Sequence, residues 1–305
     1  MYYNEFREEL LRMMKEQADE KLQIELMERQ KLNGQIRYAL MIRREENPCA
    51  PVIYLEEFYD SFCLGKPLEQ IAEKLWLIYN EEMKDDLKYL YDHISCMLTF
   101  ADAAPGLYVR VMHSGKNRDL LQDTPCRYIQ DLALTIYYQV KLMDGQVRGT
   151  VMLRDEHTQD WSVSVEEVFD RAISNTLQTE GMYWNTLEAV LNHEKLLPFP
   201  QKLSYSRTGL HVVSGKTGVW GATVAFLPGA AVRIYEALGE AYYLLPSSIH
   251  EVIVIPFSRA VSKQLLAQTV RDVNRLEIPE EEILSDNIYI YNTQNGLLEI
   301  VTEAE

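Results

Sequence analysis

Ser247, Ser248, His250 and Glu251 stand together just ahead of Val252-Ile-Val-Ile255, an unbroken β-branched run that Pro256 closes. A hydroxyl beside an imidazole is the pairing from which an activated nucleophile is made, provided a third group places the base. No Gly-x-Ser-x-Gly elbow surrounds either serine. The plainer expectation is that Ser247 and Ser248 hydrogen-bond the backbone of a Pro-Ser-Ser turn. His250 is then a strand-end imidazole bonded to a neighbouring loop.

Other chemistry-bearing residues are scattered. Arg127 and Asp131 are four apart, so on a helix over residues 125–134 they share a face, an ion pair that contributes about 0.2–0.5 kcal/mol on a surface. His157 follows Glu156 and precedes Trp161 by four residues. The six histidines, His93, His113, His157, His193, His211 and His250, include no His-x-x-x-His spacing. Cys49, Cys63, Cys96 and Cys126 include no Cys-x-x-Cys pair. No metal site and no cofactor are therefore expected. Gly215-Lys216-Thr217 invites a phosphate-loop reading, but that pattern needs glycine at 210, where Leu210 stands. An ordinary turn is expected there. Trp161 and Trp220 read as core or interface aromatics.

The whole chain constrains the partners. Its 305 residues carry 30 basic and 46 acidic side chains, a formal charge of -16. Such a chain repels phosphates, so no direct nucleic-acid binding and no anionic membrane surface are expected. Four scattered cysteines are expected as reduced thiols. The acidic N-terminus lacks the charge and the apolar core of a signal peptide, and no apolar run reaches the roughly 18 residues of a membrane span. A cytoplasmic protein is expected.

The elements that must position these residues follow from periodicity. Phe6, Leu10, Met13, Met14 and Gln17 fall on one helical face, with Asn4 as N-cap. Leu22 to Met27 alternates as a half-buried strand. Asn33-Gly34 predicts a hairpin into a strand over residues 36–42, as Asp144-Gly145 and Asn295-Gly296 do later; both central positions of a type I′ turn need positive φ. Residues 52–55 read as a short strand, and Pro67 opens a helix with a stripe through Leu68, Ile71, Ala72, Leu75 and Tyr79. A further helix is expected over residues 85–93, a loop over 103–106 and a strand over 107–112. A turn of helix follows Asn117. Residues 128–142 favour a strand in their second half, and 147–153 form its hairpin partner. Ser164 and Glu167 make a capping box. Residues 181–201 read as helix-rich or irregular. A strand at 210–213, a helix from Pro228 to Leu238, strands at 242–245 and 252–255, a helix from Val261 and a hairpin at 288–301 complete the chain. The apolar run Val252–Ile255 reads as a strand buried on both faces.

This order predicts an α+β fold of antiparallel hairpins packed against helices. An α-β-β-α module over residues 1–95 precedes a larger mixed α/β body over residues 96–305, with two sub-modules meeting near 181–205. Several phrases together carry a resemblance: Ile53-Tyr-Leu-Glu-Glu-Phe-Tyr, Leu120-Leu-Gln-Asp-Thr-Pro-Cys-Arg with Asp131-Leu-Ala, Glu156-His157 with Trp161, Leu245-Pro-Ser-Ser-Ile-His-Glu-Val, and Leu284-Ser-Asp-Asn287. In order and spacing the chain resembles an uncharacterised bacterial family, domain of unknown function 5688, from about Leu22 to Val301. Cys126 departs from that family, which has a larger ring residue there. The resemblance implies a bacterial cytosolic protein, of a kind carried by mobile elements, and no activity.

The residues favour a non-enzymatic protein that binds another protein, because catalytic motifs are lacking and 19 tyrosines suit an interface. One rival is an enzyme whose pocket at the start of the central strand uses His250, Glu251 or the Arg127–Asp131 pair. The other is an acidic mimic of nucleic acid that blocks a DNA-binding enzyme.

Overall fold

The computed structural model describes residues 1–44, 50, 52–84, 99–141, 147–204 and 206–301. They fall into two compact units, one within residues 1–84 and one within 99–301.

In the smaller unit, helix α1 (Tyr3–Gln17) and strands β1 (Leu22–Gln30), β2 (Ile36–Arg44) and β3 (Val52–Tyr54) precede helices α2 (Glu56–Cys63) and α3 (Leu68–Lys84). The three strands form one antiparallel sheet. Phe6, Leu10 and Met14 of α1 meet Ile24, Leu40 and Ile42 of the sheet and Ile71 and Leu75 of α3, all buried. The helical and strand periodicities thus put their apolar sides into one core. Asn33 and Gly34 both take positive φ, 58° and 73°, and Gln35 N–H closes on Leu32 O at 3.2 Å. This is the expected type I′ geometry. Asn4 is not the cap: Tyr2 occupies that position, with its N–H donating to Glu5 at 2.9 Å, and Asn4 lies inside the helix. The reciprocal Glu5 contact fixes the start two residues earlier than side-chain type suggests. Helix α2 was not expected. The predicted helix at 85–93, the chain breaks at Pro48 and Pro51, and Asp144-Gly145, Cys49, Cys96 and His93 lie outside the described residues.

The larger unit holds two antiparallel sheets. Strand β4 (Leu107–His113) follows the short helix α4 (Phe100–Ala103), which with a 3-10 turn (Ala104–Gly106) replaces the expected loop. After helix α5 (Arg118–Leu121) come β5 (Cys126–Ile129), β6 (Leu132–Lys141) and β7 (Val147–Met152). Strand β6 pairs with β4 along one edge and with β5 and β7 along the other. Helices α6 (Asp155–Asp160) and α7 (Val165–Thr179) follow. Ser164 caps α7 by accepting from Glu167 N–H at 3.2 Å. The outer edge of β4 is not left bare: Thr176 Oγ1 of α7 accepts from Val109 N–H at 3.0 Å, and Thr223 Oγ1 accepts from Val111 N–H at 3.2 Å. Side-chain hydroxyls thus cover donors that would otherwise invite another strand.

Residues 181–201 are not a helical connection. They contain β8 (Tyr183–Thr186), helix α8 (Leu187–Leu191) and β9 (Leu197–Pro198). Trp184 and Asn185 are buried, and the strand pairing of Tyr183–Thr186 with β10 (His211–Ser214) decides its state. The rest of the second sheet comprises β11 (Tyr242–Leu245), after helix α9 (Ala230–Leu238), then β12 (Glu251–Pro256), β13 (Tyr289–Asn292), after helix α10 (Lys263–Glu277), and β14 (Leu297–Ile300). Its order is β14-β13-β11-β12-β10-β8-β9, so the β-branched run of β12 is the middle strand. Val252, Val254 and Ile255 are buried, but Ile253 is only partly so. Helix α10 packs Leu266 and Val270 on Tyr243, Leu245 and Ile255. A 3-10 segment (Gly221–Phe226) with all six residues buried packs against β4, β10 and β12 and joins the two sheets. The Asn295-Gly296 hairpin forms, but as a four-residue loop. Gly296 alone has positive φ, and its N–H bonds Asn292 O at 2.9 Å.

Candidate partner-binding groove

Asp131 is the centre of a polar network that ties the two sheets of the larger unit together. Gln130, at φ 56°, turns β5 back into β6 as a tight hairpin and leaves Asp131 at its tip. The Asp131 carboxylate accepts from Ser285 Oγ at 2.7 Å, from Asn287 Nδ2 at 2.9 Å and from the Tyr289 hydroxyl. Ser285 and Tyr289 are fully buried. Burial, the Asp131 charge and its hydrogen bond all push the Tyr289 phenol far up, so it stays a donor. Asn274, also buried, donates to Ser285 O at 3.0 Å and to Asp286 Oδ1 at 2.8 Å and so holds the segment that faces Asp131. At the rim, Gln130 Nε2 donates to Leu298 O at 3.1 Å.

His113 lies 3.8 Å from Asp131, and its Nδ1 accepts from Lys116 N–H at 3.1 Å. Burial lowers its pKa, and the Asp131 charge opposes this without overcoming it. His211, buried in β10 against Trp184, is lowered for the same first reason. In the unfolded chain each titrates near about 6.5, so unfolding takes up protons below that pH. This stability is fully present above pH about 6.5 and is lost as pH falls toward the folded values. Melting temperatures are expected to drop on acidification from pH 7.5 to 5, less steeply in His211→Phe. Equal slopes in the two proteins would contradict this origin.

The network seats β5 opposite the β13–β14 hairpin, and an apolar groove of about 330 Å³ runs there. One wall is Tyr128 and Ile129, the opposite wall is Leu297 and Leu298, and Phe226 and Leu227 lie between. Val232 of α9 adds to the rim. Tyr128, Leu297 and Val232 are 64%, 59% and 39% exposed. Among the described residues β5 pairs with β6 alone. An edge strand beside an apolar groove is the arrangement that takes up an extended peptide, with backbone pairing for affinity and side-chain pockets for selection.

The sequence-derived candidates divide. Arg127 and Asp131 are not a helical pair: they lie on a β hairpin, where four residues of extended chain leading into the turn hold them apart. Arg127 stacks over Phe169 at 4.4 Å and stands 3.9 Å from Asp170. Both nevertheless belong to the groove, Arg127 as lining and Asp131 as the anchor of its wall. Ser247 and Ser248 belong to the turn backbone: Leu284 N–H donates to Ser247 O at 3.1 Å, and Ser248 Oγ accepts from His250 N–H at 3.0 Å. His250 bridges loops, with Nε2 3.5 Å from Glu282 and Nδ1 accepting from Trp220 N–H at 3.4 Å. Glu251 is exposed on β12 opposite Ser214. His157 accepts from Arg154 N–H at 2.9 Å as part of the cap of α6, and Trp161 is buried against Phe100. Among the described residues no group of three or more His, Cys, Asp or Glu is placed to hold a metal ion. Cys63 and Cys126 are free thiols.

Sequence reasoning missed His113, Asn274, Ser285 and Tyr289. The signal for two of them, Ser285 and Tyr289, lay in Leu284-Ser-Asp-Asn287 and the nearby tyrosine, polar residues adjoining an apolar strand and so needing partners. No helix among the described residues is long and apolar enough to cross a membrane. Neither a curated protein nor a solved structure matches this chain. The model of the family of unknown function DUF5688 matches residues 3–293, and the chain belongs to that family.

Proposed function

We propose that this is a non-enzymatic protein that binds another protein, taking an extended apolar segment of it into the groove along β5. The observation that carries the reading is the cluster of exposed Tyr128, Leu297 and Val232 around an apolar trough beside an edge strand. Large apolar side chains left together at a surface mark a place that a partner covers. The formal charge of -16 favours a basic partner, since opposite net charge speeds encounter. The segment bound is therefore apolar with basic flanks. In the same reading the protein acts in the bacterial cytoplasm, and residues 1–95 form a module separate from the body that bears the groove.

Site-specific photocrosslinking in the native host tests this. A photoreactive residue at Tyr128 or Leu297 is expected to give one shared adduct, absent when the same residue replaces Leu64, which is 90% exposed in the smaller unit. Adding Val232→Asp should remove the adduct. Equal adducts at all three positions, or none at the groove, would contradict the reading.

A further inference from the structure

Arg110 of β4 is mostly buried, and among the described residues no carboxylate forms an ion pair with it. Its guanidinium lies in the corner between Tyr137 and Trp220, 4.5 and 4.6 Å from the two ring centroids. One donor, Nη1, reaches Thr150 Oγ1 at 3.1 Å. A guanidinium has five N–H groups and stays charged in proteins, so donors remain for a ligand in the cavity that it lines. Burial pushes its pKa down, with Tyr137 opposing. The side chain lines a cavity of about 340 Å³, in which Val109, Val219, Val224 and Trp220 supply apolar surface.

The cavity is built with some care around this cation. Trp220 takes φ 58°, a left-handed conformation costly for a bulky side chain. Such strain persists where surrounding structure enforces it, often at ligand sites. Here His250 accepts the Trp220 N–H, and His250 O accepts from Ser214 Oγ at 2.7 Å. The opposite wall holds Glu180, whose Oε2 accepts from Thr217 N–H at 3.0 Å and Thr217 Oγ1 at 2.9 Å. This pins the loop that carries Trp220.

We propose that this cavity binds a small organic monocarboxylate, its carboxylate paired with Arg110 and its apolar body against Trp220, Val219 and Val224. A partly buried cation in an apolar-lined cavity gains from a counter-ion, and a planar carboxylate is the natural one for a guanidinium because two parallel hydrogen bonds form at once. One cation neutralises one negative charge. A phosphate dianion would face Glu180 in the wall with a single positive partner, so its second charge would be buried uncompensated. A cavity near the small end of the ligand-pocket range suits a compact molecule.

Thermal melts and calorimetric titrations with the full chain decide the matter, using benzoate, indole-3-carboxylate and hexanoate beside benzamide and inorganic phosphate. At least one of the three carboxylates is expected to raise the melting temperature and bind at millimolar concentration or better, while benzamide and phosphate do not. Arg110→Gln should weaken that binding at least tenfold. Val219→Asp, at an exposed rim position and so safe for folding, should weaken it as well by placing a like charge at the mouth. The proposal is overturned if none of the three carboxylates binds, if phosphate or benzamide binds as tightly, or if both variants bind as wild type does.

Discussion

Asp131→Ala is expected to destabilise the larger unit by about 2–6 kcal/mol, because two buried donors lose their acceptor at once. Three donors converge on this carboxylate, and two of them, Ser285 Oγ and the Tyr289 hydroxyl, belong to fully buried residues. Without their acceptor each carries a desolvation cost of about 1–3 kcal/mol. Water can reach Asn287, which is exposed, so its loss adds less. Asp131→Asn should fall between wild type and alanine. It keeps one acceptor oxygen but turns an amide donor toward groups that are themselves donors. Urea unfolding followed by tryptophan fluorescence reports mainly on this unit, because Trp161, Trp184 and Trp220 lie in it and Trp76 does not. A midpoint unchanged in Asp131→Ala would show that the network carries no weight.

Gly221→Ala is expected to be comparably severe, about 3 kcal/mol, although only a methyl is added. A Cβ there would lie 1.9 Å from Ser214 Oγ, 2.5 Å from His250 O and 2.7 Å from Gly215 N. Two of the three are backbone atoms that cannot rotate away, and overpacking in such a place typically costs about 1–3 kcal/mol. The estimate sits at the upper end because the displaced Ser214 hydroxyl also loses its bond to His250 O. Combining Gly221→Ala with Ser214→Ala separates the contributions. It removes the nearest clash and should recover part of the loss, whereas the backbone contacts keep the double variant well below Ser214→Ala alone. Full recovery would place the whole effect in the hydroxyl.

What was legible in the sequence is what short-range physics decides. The run Val252–Ile255 has no alternation, and it is the middle strand of the larger sheet because only a strand with neighbours on both sides and cover on both faces accommodates it. Asn33-Gly34 was readable to the turn type, since both residues must adopt positive φ there. Asn295-Gly296 looks the same in sequence but closes a wider loop in which Asn295 does not take positive φ, and only the position of flanking strand residues separates the two cases. Residues 125–134 misled because an i,i+4 charge pair suggests a helix. The chain instead turns at Gln130, and Arg127 and Asp131 answer to Phe169 and Tyr289, far along the sequence. Tyr183–Thr186 is a strand for a similar reason: pairing with His211–Ser214, not local preference, sets it. The groove itself was invisible, because its two walls are about 170 residues apart and meet only through the Asp131 network.

In the proposed reading, β5 and the hairpin facing it form a peptide-binding groove. Amide hydrogen exchange of the full chain, measured with and without a linear peptide selected against it from a random library, tests this most directly. Added protection is expected over Cys126–Ile129 and at Leu297 and Leu298, lost together with binding in Leu297→Asp. Protection confined to other segments, with β5 unchanged and Leu297→Asp still binding, would contradict it.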